Sequence, residues 1–388
     1  MTRTLRVAHL DHTSTDGGAE YALLRMLNGP LSWNHRVVLP TASADERDIF
    51  TPHLEASRIR RLGPRQPAGA SRSGQKLQSA ALGARLLGQA TTLRMSGVLG
   101  GADVVHANST RSALYTAMAL TGSRKPFVVH LRDMVAPESI GRVGFELFTR
   151  IALARADGVI ANSSATLASA APHIRSGTPT AVIASAAGLR RPTSHVSVRP
   201  EVRRVGMVAR IDPWKGQELL LRAFADATLP VNARLVFAGS APFGNEGFLQ
   251  SLQTLAAELG VRDRVEFRGH VEDVVAFIDE MDMCVQSSLR PEPLGQNILQ
   301  YLSRGAVVVA ADSGGPLEWV KHNQNGALFK TGDLDSLTRA LSTLAASQDL
   351  RSRLSRNAVD TPDLHSDAEI AELHAEFFRA VAGRRRSR

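Results

Sequence analysis

The chain has 388 residues, too many for one ordinary core and suited to two. Hydrophobic residues make up 43% and charged residues 21%, which excludes a disordered chain, and the formal net charge of +9 favours partners carrying negative charge. The single cysteine, Cys284, sits between Met283 and Val285 and excludes both a disulfide framework and a cysteine metal site. Met1–Leu10 lacks an apolar leader, and no run approaches the roughly 20 apolar residues of a membrane span. A cytoplasmic protein is expected, with attachment to the inner face of a membrane left open.

Short apolar runs alternate with amphipathic stretches. The first series of predicted strands is Arg6–Leu10, His35–Leu39, Asp103–Ala107, Phe127–Leu131, Gly158–Ala161 and Thr180–Ala184. The second is Arg204–Val208, Arg234–Ala238, Val265–Arg268, Met283–Gln286, Val307–Ala311 and Ala327–Phe329. Helix-period segments lie between most of them, as in Ala19, Ala22, Leu23, Met26 and Leu27. Val- and Ala-rich strands without strict alternation suit parallel sheets buried on both faces. Strand–helix alternation predicts a doubly wound α/β unit, and here it occurs twice.

The expected organisation is a first domain over 1–190, a linker over 191–203 and a second domain over 204–366. Pro192, Pro200 and the arginines Arg190, Arg191, Arg199 and Arg203 mark the linker. Ile370, Leu373, Phe377 and Phe378 predict a final helix over 367–382, followed by a disordered basic tail, 383–388. The stretch Ala56–Ala102 carries Arg58, Arg60, Arg61, Arg65, Arg72, Lys76, Arg85 and Arg94 with no Asp or Glu. It reads either as a solvated loop and helix or as a surface for anionic lipid or an acidic acceptor.

Four segments carry candidate chemistry. Asp16-Gly17-Gly18-Ala19-Glu20 follows the first strand and opens a helix. Paired glycines allow close backbone approach to an anion, although a plain turn has the same look. Arg210 ends a strand and Lys215 starts the next helix. The two could clamp a diphosphate or be ordinary surface cations. Glu292 precedes a turn and a helix beginning near Gly295, so it is a hydroxyl acceptor or a capping carboxylate. His130 stands near a strand's carboxyl end, as does His106, and each is either ligand-facing or structural. Asn108, Ser109, Thr110 and Arg111 follow a strand end and are candidate acceptor-binding residues.

Together these segments resemble the family 4 retaining glycosyltransferases, most strongly from Val205 to Lys321. The carriers are R-x4-K-G at Arg210–Gly216, the segment Glu292-Pro293-Leu294-Gly295 through Gln300, and Gly314-Gly315-Pro316-Leu317-Glu318. The resemblance implies the GT-B fold, two Rossmann-like domains with parallel sheets facing a cleft and a last helix returning to the first domain. It implies transfer of a sugar from a nucleoside-diphosphate sugar to a hydroxyl acceptor, with retention, without metal and without cofactor. Catalytic roles fall to Glu292, His130, Arg210 and Lys215. Arg210 and Lys215 would hold the diphosphate, approached by Gly17 and Gly18. Glu292 and His130 would touch the donor sugar. The backbone of Leu294, Gly295, Gln296 and Asn297 would cradle sugar and phosphate, and the base would lie near Gly269 and Val271. Gln300 stands where the family usually has a ribose-binding Glu, at the cost of a charge-assisted bond. The acceptor is a saccharide, a lipid-linked or anionic group, or a natural product. Alternatives are a GT-B sugar-nucleotide epimerase, which needs no acceptor, and a non-catalytic sugar-nucleotide or membrane-binding relative. Net charge alone suggests nucleic acid, and no reader motif supports it.

Overall fold

The computed structural model describes residues 4–42, 47–66, 76–193, 196–241 and 244–386, without the side chains of 76–80 and 385–386. The chain forms two compact units: Met1–Ala187 with His365–Arg388, and Gly188–Leu364.

The first unit is built on seven parallel strands: β1 (Arg6–Leu10), β2 (Asn34–Leu39), β3 (Ile59–Arg61), β4 (Val104–Ala107), β5 (Phe127–Leu131), β6 (Gly158–Ala161) and β7 (Thr180–Val182). Their order is β3-β2-β1-β4-β5-β6-β7. The direction of winding reverses between β1 and β4, which opens a crevice at their carboxyl ends. Alternation along the strands divides the side chains between two faces. Ala8, Leu10, Val105, Ala107, Val129 and Leu131 enter one core, with Leu86, Leu93, Leu114 and Phe148 from the helices over it. The other face carries His9, His106 and His130 and is covered by the helix Asp367–Arg386.

The second unit repeats the plan with β8 (Arg204–Val208), β9 (Arg234–Ala238), β10 (Val265–Phe267), β11 (Met283–Gln286), β12 (Val308–Ala311) and β13 (Ala327–Phe329). The order is β10-β9-β8-β11-β12-β13, all parallel, and the winding reverses between β8 and β11. Val205, Met207, Leu235, Phe237, Val285 and Val309 pack on Leu220, Phe224, Leu252 and Leu341 from its helices.

Three expectations differ from the structure. Ile59–Arg61 is an edge strand inside the basic stretch, paired with Val37–Leu39. Several of that stretch's cations are spent locally: Arg58 pairs with Glu55, Arg61 with Asp48, and Arg94 donates to the carbonyls of Ala119 and Thr121. The last helix runs on through 383–386, where a tail was expected, because nothing in Gly383-Arg384-Arg385-Arg386 breaks it. Arg72 lies outside the described residues. The expected linker is tied down within the second unit. Buried Arg351 donates to the carbonyls of Arg199 and Pro200, and Arg199 pairs with Asp282 at 2.8 Å.

Candidate active site

In the second unit, β8 and β11 deliver their ends side by side at the switch point. After β8 the chain runs Ala209, Arg210, then a short turn capped by Asp212, whose side chain accepts the Trp214 N–H. Gly216 closes this turn at φ +77°, and a Cβ there would overlap the Ser287 carbonyl oxygen. Only glycine suits that place. Lys215 is thereby aimed at Glu292, with Nζ 2.6 Å from Oε1, while Nζ also lies 4.0 Å from the centre of the Trp214 ring. Arg210 is exposed at the strand end, its carbonyl accepting from Gln217 Nε2 at 2.7 Å.

After β11 come Ser287 and Ser288, both buried. Ser287 Oγ donates toward the carbonyls of Gly216 (3.0 Å) and Lys215 (3.3 Å). Ser288 Oγ donates to Glu292 Oε1 at 2.5 Å. Glu292 itself is buried. Its backbone is clasped by the two glycines downstream, through a bridge to Gly314 and the Gly315 N–H on the Glu292 carbonyl at 2.8 Å. A Cβ on Gly315 would come within 2.6 Å of Leu294 Cα, so these segments meet backbone to backbone. The Pro-Glu-Pro-Leu-Gly and Gly-Gly runs are two halves of one packed loop pair.

The helix Gln296–Ser303 starts here, behind Gly295 at φ +75° and with no side chain capping it. The positive end of the helix favours an anion there, while the Ile298 N–H is already held by the Gly295 carbonyl and by Asn297 Oδ1 at 3.0 Å. The helix is held to the sheet by its own side chains. Asn297 Nδ2 donates to the Val208 carbonyl at 3.0 Å, and the Val208 N–H donates to the Tyr301 hydroxyl at 2.7 Å. Asn297 thus offers a ligand its backbone, not its side chain. Gln296 and Gln300 stand one turn apart on this helix, both partly exposed. Gly269 follows β10 at φ +67° in open space, its carbonyl accepting the Gly239 N–H, with half-buried Val271 beyond it.

The first unit's switch point is differently disposed. Asp11 follows β1 and is fully buried, its Oδ2 accepting from Asn108 Nδ2 at 2.5 Å. Asn108 Oδ1 accepts from Arg132 Nη2 at 2.7 Å, and Arg132 Nη1 donates to Ser185. His12 Nδ1 lies 3.1 Å from Asp11 Oδ1 and 2.9 Å from Ser109 Oγ. Ser109 also caps the helix Thr110–Ala119 in a capping box with Ser112. Asn108 and Ser109, expected to touch the acceptor, are consumed by this framework, while Thr110 and Arg111 begin the helix.

Gly17 and Gly18 open the helix Gly18–Asn28, as expected. The buried Glu20 carboxylate folds over that opening, and a Cβ on Gly17 would collide with it. Burial, reinforced by Asp11, pushes the Glu20 carboxyl well above the usual range. Asp11, His12 and Glu20 bring ligand-type atoms within 4.8 Å of one another, but both Asp11 oxygens already have partners.

Of the two readings left open for His130, the structure shows the buried one. It lies inside, 1% exposed, in a row linking Trp33, His9, His106 and His130. His374 of the last helix stands over His130 with ring centres 5.3 Å apart. The reason is strand alternation: Val129 and Leu131 face the helix-covered core, so His130 faces the other way. The carboxyl edge of β5 is reached only at Arg132. Burial holds His9, His106 and His130 well below the usual histidine range, and lowers His374 to about 4. His130 Nε2 and His374 Nε2 are buried without a partner among the described residues.

Sequence reasoning missed Ser287, Ser288, Asp11, His12 and Arg132. Each stands within two residues of a strand's end, so the position of strand ends was the signal available.

Residues 195–361 match the model of the family described as glycosyl transferases group 1, and residues 16–186 match that of glycosyltransferase family 4. Among relatives, a putative glycosyltransferase, EpsD, of Bacillus subtilis is 32% identical over 44% of this chain and 44% of its own length. A Rhizobium meliloti lipopolysaccharide core glycosyltransferase, LpsE, is 36% identical over 29% of this chain and 32% of its own length. The chain thus spans between about a third and a half of the length of the curated relatives it matches. The crystal structure of Anabaena HepE in complex with UDP-glucose superposes with a TM-score of 0.79 at 26% identity, covering 97% of this chain and 100% of that one. Sucrose-phosphate synthase from Thermosynechococcus elongatus shares the fold, with a TM-score of 0.78 at 18% identity over 97% of this chain and 99% of that one.

Proposed function

Because the chain belongs to the group 1 glycosyltransferases of GT-B fold, we propose that it transfers a sugar from a nucleoside-diphosphate sugar to a hydroxyl acceptor, with retention of configuration. One observation carries this reading: the Lys215–Glu292 pair beside the helix start at Gly295, at the switch point of the second sheet. A cation, a carboxylate and the positive end of a helix in one place suit a ligand with a diphosphate and sugar hydroxyls. HepE was solved with UDP and with UDP-glucose, which supports a nucleotide-sugar donor of this kind.

The chemistry follows from charge. As the anomeric carbon parts from the diphosphate, negative charge grows on the leaving oxygens. Lys215, Arg210 and the helix start at Gly295 would stabilise it, a role a metal plays in other transferases. Glu292 would accept a hydroxyl of the donor sugar and so orient the ring. The acceptor hydroxyl would attack the face from which the diphosphate leaves, its proton passing to a leaving phosphate oxygen. Gly17 and Gly18 remain assigned to the diphosphate, and Gly269 and Val271 to the base. Gln300 would meet the ribose as a neutral amide.

With Asn108 and Ser109 spent inside the first unit, acceptor recognition rests on Thr110 and Arg111, which suits an anionic or lipid-linked hydroxyl compound. No helix among the described residues is long and apolar enough to cross a membrane. We assign the enzyme to the cytoplasm, with contact at the inner membrane face through 56–102 tested by flotation on anionic vesicles.

The deciding experiment mixes the protein with UDP-, GDP-, ADP- and dTDP-sugars and follows thermal shift and release of nucleoside diphosphate. One donor should stabilise the protein and be slowly hydrolysed. Binding with no turnover, even with acceptor extracts, rejects the transferase reading; conversion of donor alone to an epimer favours the epimerase.

A further inference from the structure

The two serines that follow β11 divide the donor site between them. Ser287 points back to the Lys215–Gly216 turn, and Ser288 points forward to Glu292. Both are buried, so their hydrogen bonds are not traded with solvent. Glu292 Oε1 receives two donors, Lys215 Nζ at 2.6 Å and Ser288 Oγ at 2.5 Å. Oε2 receives none among the described residues. A carboxylate pinned through one oxygen presents the other in a fixed direction.

We propose that Ser288 is a positioning residue: it holds the Glu292 carboxylate through Oε1 so that Oε2 faces the donor's sugar, and it thereby sets the preference for a nucleotide sugar over the bare nucleoside diphosphate. The inference rests on the donor-site reading above and goes beyond it in dividing the labour. Lys215 is a mobile partner for Oε1, because a diphosphate competes for its ammonium. When Lys215 turns to the phosphate, Ser288 is the donor that stays. Without it, Glu292 would lose its orientation at the moment the sugar arrives. A hydroxyl suits this task where a second cation does not. It orients the carboxylate without neutralising it, so Oε2 keeps its strength as an acceptor. Ser287, in contrast, carries the turn that bears Lys215 and so serves the diphosphate half of the ligand.

The test measures affinity for UDP and UDP-glucose, with GDP and GDP-mannose in parallel, in wild type, Ser288→Ala and Ser287→Ala. Ser288→Ala should keep the affinity for the diphosphate within about twofold while the sugar nucleotide weakens about tenfold, the scale of one hydrogen bond to a charged group. Ser287→Ala should weaken both ligands together. Ser288→Thr, which retains the hydroxyl, should recover the wild-type ratio. If Ser288→Ala loses its thermal transition, Ser288→Cys reads the same ratio with a weak donor of similar size. Equal loss for both ligands in the Ser288 variants, or no change in either, overturns the proposal. Wild type that binds neither ligand sinks the donor-site reading and this inference with it; wild type that separates the two, with Ser288→Ala separating them equally, sinks the inference alone.

Discussion

The two units solve one architectural problem in opposite ways. Each has a parallel sheet whose winding reverses, and each brings charged residues to that reversal. In the first unit these residues satisfy one another: Asp11 is bound by Asn108, Asn108 by Arg132, and Arg132 by Ser185. In the second, a single ion pair and one serine hold Glu292 through Oε1, beside a helix that begins at a glycine. A satisfied polar network stiffens a fold, whereas a carboxylate with one oxygen to spare keeps bonding capacity for a ligand. The contrast is the physical ground on which we propose the second unit for the donor.

The contrast breaks most directly at Lys215. Lys215→Ala should cut turnover by roughly three orders of magnitude, the scale of losing a charge that stabilises a leaving group. Steady-state release of nucleoside diphosphate measures it, and near-normal turnover would remove Lys215 from the site. Next comes Gly216→Ala, which needs a positive φ and meets the Ser287 carbonyl. It should cost on the order of 3 kcal/mol in urea unfolding of the second unit; an unchanged midpoint would show that the turn relaxes.

The first unit's closed character is tested by acid. His374 is buried, with its pKa lowered to about 4 from an unfolded value near 6.5. Between those values the unfolded chain holds more protons, so stability falls as pH drops from about 6.5 to about 4. The contribution is of order 2 kcal/mol at pH 5. Amide exchange in the helix Asp367–Arg386 should quicken over that range, beyond the intrinsic pH effect. His374→Leu should flatten the slope, and an equally steep profile in that variant would point to other groups. The smallest effect is expected from Gln300→Glu, which restores a charged acceptor and should tighten nucleoside diphosphate binding a few-fold. Weaker binding by calorimetry would mean that the amide is the better fit here.

Much of the fold was legible because parallel strands buried on both faces leave dense apolar runs. Arg6–Leu10, Phe127–Leu131 and Arg204–Val208 stand where their composition placed them. Ile59–Arg61 was hidden because an edge strand of three residues, two of them arginine, carries almost no apolar signal. Lys215 and Glu292 were legible as types of chemistry, and the structure brings them together across 77 positions. His130 stayed ambiguous because being near a strand's end does not say which face a side chain takes. Ser288 was invisible for a plainer reason: a serine after a strand looks like solvated loop until its neighbours are known. Arg132 and Asp11 were likewise unremarkable as single letters, since their significance lies in a bonding chain through Asn108.

The helix Asp367–Arg386 has a consequence for how the molecule comes into being. Its Phe378 and His374 rest on His9, His106 and His130, near the start of the chain. During synthesis, the opening sheet therefore leaves the ribosome with one face bare. The second unit, contiguous from Gly188 to Leu364, is free to close first. A sheet that begins at Arg6 is completed by a helix that begins only at Asp367. A nascent chain must shelter several neutral histidines and Trp33 until the helix Asp367–Arg386 arrives, and a fragment cut after Ala187 would carry that wound permanently.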